Sequence, residues 1–206
     1  MSCLINKGRL EPCKDSVGGL TAVYFIDHGT LGAITYGTPT GEPTGTSGEI
    51  TALAGTPTGY KFVLKGNSSL EQTITSSREN GTTFYDQVVS LTLKKLSVQT
   101  NDELALLAVA RPHIVVEDNN GNAMLVGTEY GADLNGGTVV TGAGMGDLSG
   151  YTLTFQGMEK KAANFLTGGV AGVGITVSTE FIIIRVAKGC PFFLLKFLQI
   201  FIILSL

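Results

Sequence analysis

Two histidines, His28 and His113, and three cysteines, Cys3, Cys13 and Cys190, are the side chains of this 206-residue chain best suited to metal ligation or nucleophilic chemistry. Their spacing supports neither. No histidine has a cysteine or a second histidine at zinc-ligand spacing, and no Cys-x-x-Cys occurs. His28 follows Asp27 at a turn and His113 opens a strand beside Pro112, so each reads as a surface or strand-end residue. Gly142-Ala143-Gly144-Met145-Gly146 has the glycine density of a phosphate-binding loop, but such loops must open a helix or close on Lys-Ser/Thr. Here Asp147-Leu148-Ser149-Gly150 leads into a strand, which leaves a connecting or assembly loop. Asp118-Asn119-Asn120-Gly121-Asn122 is calcium-loop-like but lacks the later bidentate glutamate. Glu71, Glu79 and Asp86 can meet only if the fold brings them together. No Ser-His-Asp arrangement or nucleophile elbow is present. The expectation is a protein that is not an enzyme, with no catalytic residue, no cofactor and no metal.

Composition narrows the class further. The formal charge is −3 and the basic residues are scattered, with Lys94-Lys95 and Lys160-Lys161 the only basic pairs, so a surface that grips nucleic acid is not expected. Glycine is abundant at 28 residues and only 15% of residues are charged, which suits a β protein better than a helical one. The odd cysteine count suits a reduced, cytoplasmically made chain, although Cys3 and Cys13 are near enough in sequence to pair. The first residues carry no apolar run of the secretory kind.

The elements are clearest between Tyr60 and Leu96, which reads as strand, turn, strand, turn and long strand. In the last of these Tyr85, Gln87, Val89, Leu91 and Leu93 share one face, and Val88, Ser90, Thr92 and Lys94 the other. One face is core; the second is free for solvent or a partner. Ser76–Gly81 forms the turn before it, with Asn80-Gly81 supplying tight-turn chemistry. Upstream, Ala22–Ile26 reads as a buried strand with Leu31–Tyr36 as its hairpin partner, followed by a long Gly/Thr/Pro loop at 37–59 in which GTPTG occurs twice. One helix is expected at Asn101–Ala110, with Thr100 as N-cap, Glu103 completing a capping box and Pro112 as the stop. His113–Glu117 and Ala123–Val126 flank Asn120-Gly121 as a hairpin, and Gly136–Thr141 and Tyr151–Phe155 are further strands. The predicted fold is an all-β, antiparallel sandwich or barrel-like domain over residues 1–179 with one short flanking helix.

Residues 180–206 depart from this style. Pro191–Leu206 is apolar but sixteen residues long and broken by Lys196 and Gln199, short of the roughly 20 residues a bilayer span needs. Lys188-Gly189-Cys190-Pro191-Phe192-Phe193 can be encoded by a G/C stem followed by a T-tract, the form of a bacterial terminator. The expectation is that this tail is translated non-coding sequence rather than a membrane anchor.

The three stretches GNSSLEQTITSSRENGTTFYDQVVSLTLKKL, RPHIVVEDNNGNAMLVGTEYGADLNGGTVVTG and GDLSGYTLTFQGMEKKAANFL resemble virion structural proteins of tailed bacteriophages, most of all tail tube (major tail) proteins. The resemblance covers roughly residues 10–166 and is a pattern of strands and turns. It implies subunits that assemble as rings, commonly hexameric, stacked into a hollow tube through which DNA leaves the capsid. It also implies a virion location after synthesis in the host cytoplasm, with other tail proteins as partners and DNA only in passage. By that analogy the strand Phe84–Lys95 lines the inner wall or joins subunits, and the 37–59 loop reaches a neighbouring ring. Arg78, Glu79 and Asn80 at the turn and Ser90, Thr92 and Lys94 on the second face are then the candidate subunit-interface residues. A capsid decoration protein, or a small carbohydrate-binding β-sandwich, is the alternative; the absence of Trp disfavours the latter.

Overall fold

The computed structural model describes residues 13–37 and 48–178, and they form the expected all-β fold. In chain order the strands are β1 (Leu20–Ile26), β2 (Ile34–Tyr36), β3 (Glu49–Leu53), β4 (Thr58–Val63), β5 (Ser69–Ser77) and β6 (Thr82–Lys94), followed by helix α1 (Val98–Leu107). Then come β7 (His113–Asp118), β8 (Ala123–Val126), β9 (Asp133–Val140), β10 (Gly150–Glu159), β11 (Asn164–Leu166), the single turn of helix α2 (Gly169–Gly172) and β12 (Thr176–Val177). Two sheets result. The larger has the order β12-β4-β1-β7-β8-β11-β3-β2, the smaller β5-β6-β10-β9. All pairings are antiparallel except β11 with β3 and β12 with β4.

The smaller sheet packs on one face of the larger. Val89, Leu91 and Leu93 of β6 and Tyr151, Leu153 and Phe155 of β10 meet Val23 and Phe25 of β1 and Ile114 and Val116 of β7. The Phe25 ring lies 5.2 Å from both Phe62, edge-on, and Phe155, centroid to centroid, so the aromatic quadrupoles tie the two layers together. A second core fills the opposite face of the larger sheet, where Ala22, Tyr24, Ile26, Val115 and Leu125 pack with Ile50, Leu53, Leu166, Val170 and Ile175. With both faces covered, a strand has no polar side to alternate with, which is why β1 and β7 read as continuous apolar runs. β6, covered on one face only, keeps its period of two, with Gln87, Val89, Leu91 and Leu93 inward as expected.

Three sequence expectations are corrected. α1 begins a turn early: Ser97, extended at φ −147°, is the N-cap and its Oγ accepts from the Thr100 N–H at 3.1 Å. The phenol of Tyr151 bonds the Ser97 backbone on both its N–H and its C=O, so tertiary packing selects Ser97 over the competing Thr100 cap. The 37–59 loop is interrupted by β3, whose two buried residues, Ile50 and Leu53, are too few to stand out among Gly, Thr and Pro; its residues 38–47 lie outside the described chain. β2 is not the hairpin partner of β1. Both edges of β1 are taken by β4 and β7, and β2 pairs with β3 instead. Cys3, Cys190 and the 180–206 tail also lie outside the described residues.

Candidate functional site

The six candidate residues fall at the two ends of one strand. Ser90, Thr92 and Lys94 lie on the outer face of the smaller sheet, whereas Arg78, Glu79 and Asn80 sit at the β5–β6 turn. Along β6, Thr82–Lys94, the turn is separated from Ser90 by about 27 Å and from Lys94 by about 40 Å at about 3.4 Å per residue. The register surrounds the first group with more small polar side chains. Thr138, Thr152 and Thr92 form one cross-strand row, and Thr154, Ser90 and Ser69 the next. Further along, Gln156 stands opposite Val88 and donates from Nε2 to both carboxylate oxygens of Asp86, at 2.8 and 2.9 Å. Thr92 is held in place: its N–H donates to Ser68 Oγ at 3.1 Å and its hydroxyl to the Asn67 carbonyl at 2.9 Å. Among the described residues this sheet ends in β5 on one side and β9 on the other, each with one edge unpaired.

The second group caps a hairpin that outruns its sheet. β10 pairs with β6 only as far as Tyr85, which stands opposite Ile74, so residues 75–84 extend past the last β10 rung, and Thr73, Ile74, Thr75 and Ser76 are exposed in succession. The Ser76 and Thr83 hydroxyls bond across this finger at 2.9 Å, and the Asn80 N–H donates to Ser77 Oγ at 3.2 Å. Glu71, Glu79 and Asp86 do not converge, and no three His, Cys, Asp or Glu side chains gather among the described residues.

A polar staple that sequence reasoning missed lies where the chain crosses from the larger sheet to the smaller, at Gly127–Gly131. Three buried side chains fasten it. Gln87 Oε1 accepts from the Gly127 N–H at 3.1 Å. Glu159 Oε1 accepts from the Glu129 and Tyr130 N–H groups, both at 2.8 Å, although Glu159 is only 5% exposed. His113 Nε2 accepts from the Gly29 N–H at 3.1 Å, so its Nδ1 carries the proton and donates to the Gly127 carbonyl at 2.5 Å. Burial, with the stacked His28 ring 4.8 Å away, holds the His113 pKa below the usual imidazole range, although the bond to Gly127 works the other way. Gly131 sits at φ +73°, and a Cβ there would come within 2.7 Å of the Arg111 carbonyl. The one sequence signal was Gln87, a polar residue at a core position in an otherwise apolar row.

The two ligand-like glycine motifs bind their own chain. Asp147 Oδ2 accepts from the Ala143 and Gly144 N–H groups at 2.9 and 2.6 Å, so the loop's amides are already occupied by a carboxylate; these bonds hold the exposed Asp147 below the usual carboxylate range. Asp118 accepts from the N–H groups of Asn120 and Asn122 at 2.9 and 2.7 Å, fixing the β7–β8 turn. Asn120 in turn exchanges two bonds with the Val17 backbone, at 2.8 and 2.9 Å, and straps residues 17–19 to the hairpin.

The geometry defines a two-sheet β-sandwich whose smaller sheet has one largely polar outer face and, among the described residues, two unpaired edges. Compared with family models, curated proteins and solved structures, the chain matches none.

Proposed function

We propose that this chain is a virion structural subunit that self-assembles through the edges of its four-stranded sheet into stacked rings, the tail tube of a tailed bacteriophage. The observation that carries the reading is the combination, among the described residues, of two unpaired edges with a sparsely charged face that has no basic stripe. β5 of one copy can add to β9 of the next by backbone hydrogen bonding, and repetition around an axis closes a ring. Such a ring presents Thr152, Thr154, Ser90, Thr92 and their neighbours as one continuous surface. β6 contributes Asp86 and Lys94 as the charged residues of its outer face, and Glu71 stands beside Val88 on β5, so the surface has no basic stripe to retain phosphate. The resemblance of the three quoted stretches to tail tube proteins supports the same reading and supplies the hexameric expectation.

Electron microscopy and sedimentation velocity of the purified chain test it. Rings or tubes are the expected result. A chain that stays monomeric at high concentration, or that forms trimers binding only to capsids, refutes it and favours a decoration protein instead.

A further inference from the structure

We infer that the β5–β6 finger of one copy docks, through Arg78, into a groove on the far face of a second copy, a contact distinct from sheet-edge pairing and resting on the self-assembly proposed above. The groove is an open depression of about 740 Å³ whose lining includes Tyr24, Glu49, Glu117, Phe165 and Val170. Its chemistry is mixed. Glu117, level with Ala123 on the face of the larger sheet that carries Tyr24, adds a carboxylate to a lining that also includes apolar Leu166 and Val170. Glu117 Oε2 accepts from the Tyr24 hydroxyl at 2.9 Å, which orients the carboxylate and leaves Oε1 available. Lys61 Nζ lies 5.3 Å from the centroid of the Tyr24 ring, placing one cation at the rim.

The finger carries the matching groups. Arg78 makes no hydrogen bond or ion pair with any described residue, and Glu79 follows it at the exposed tip. Arg78 thus answers Glu117, and Glu79 answers Lys61; a planar guanidinium on a carboxylate is the geometry arginine serves best. The partner must be another molecule. The groove belongs to the second core, whereas the finger extends from the sheet packed on the opposite face of the larger sheet, so a chain's finger and groove face apart. A contact between unlike surfaces is head-to-tail and propagates, as stacked assemblies require.

Arg78→Glu and Glu117→Lys, made in separate full-length chains, test this by sedimentation velocity, with thermal melts as the folding control. Each variant alone is expected to associate at least about tenfold more weakly than wild type. An equimolar mixture is expected to recover to within about threefold, since every finger then meets a groove of opposite charge. Wild-type association by Arg78→Glu, or a mixture no better than its components, overturns the docking while leaving edge-paired rings standing. A wild-type chain that never associates overturns both. If Glu117→Lys does not fold, Arg78→Gln and Glu117→Gln replace the pair: equal weakening in each single variant, with no further loss in the double, is required.

Discussion

Replacing Glu159 by alanine isolates the staple that joins the two sheets. The carboxylate is buried and accepts two backbone N–H bonds at 2.8 Å in the 127–131 crossover, so truncation removes the acceptor that both donors share. Bonds to a charged acceptor contribute about 1.5–3 kcal/mol each, and the second is worth less than the first once the loop has loosened. The expected loss is about 3–5 kcal/mol, or roughly 6–20 °C in Tm for a chain of this size. Glu159→Gln keeps an acceptor oxygen for both amides while replacing the charge and the second oxygen with an amide NH2, so about 1–2 kcal/mol is expected. The chain has no Trp, so urea unfolding is followed by circular dichroism or tyrosine emission. A fall in midpoint at constant slope reports stability rather than a changed end state. If Glu159→Ala costs under about 1 kcal/mol, or if Gln and Ala cost the same, the carboxylate does not hold the crossover and the argument fails.

Acidification tests His113. Its folded pKa lies below the unfolded value of about 6.5, so the unfolded chain takes up the proton first. The stabilisation is complete above that value and is lost as pH falls through the folded pKa, where a protonated ring can no longer accept from Gly29; urea midpoints should decline through this window in wild type and stay flatter in His113→Gln. Asp118 follows the carboxylate rule: partial burial raises its pKa, but the bonds from Asn122 and Asn120 outweigh it, so its contribution is present above about pH 4 and disappears below. Asp118→Ala should therefore reduce the loss of stability on the acid limb. Ser97→Ala should cost about 1 kcal/mol as the loss of a true cap, whereas Thr100→Val, which keeps the buried volume, should cost less; the reverse order in chemical denaturation would restore the later helix start. Gly131→Ala forces a Cβ against the Arg111 carbonyl at positive φ and should cost about 2 kcal/mol or more, while Gly136→Ala, facing open space, should stay within about 1 kcal/mol in the same assay.

What the sequence displayed depended on whether one strand or turn carried its own signal. β6 was legible because a strand covered on one face must alternate, and Asn120-Gly121 because a tight turn needs φ of +82° at the glycine. α1 was legible as a helix but misplaced by a turn, since Ser97 and Thr100 both offer caps and only the Tyr151 contact decides between them. β3, β11 and β12 were hidden for another reason. With five, three and two residues, they are strands because neighbouring edges pair with them, and their own sequences carry too few apolar positions to show a period. The candidate residues were placed correctly on a turn and on an outward face, but not the distance between them. The staple was illegible altogether: Gln87, His113 and Glu159 come from three strands in two sheets, and nothing local to any of them names the others.

These two kinds of residue divide the molecule by task. The larger sheet, covered on both faces, and the staple beside it draw on side chains whose removal opens cavities or strands buried polar groups, so changes there register as stability. The outer face of the smaller sheet is different. Ser90, Thr152 and Thr154 face away from the core, and substituting them disturbs neither packing nor a buried hydrogen bond. A sequence need not keep small hydroxyls on every strand of such a face to fold, because larger β-formers would serve the strands as well. On the assembly proposed above, their recurrence along paired strands fits a surface that meets something without gripping it, and substitutions there are expected to alter assembly while leaving the melting temperature in place.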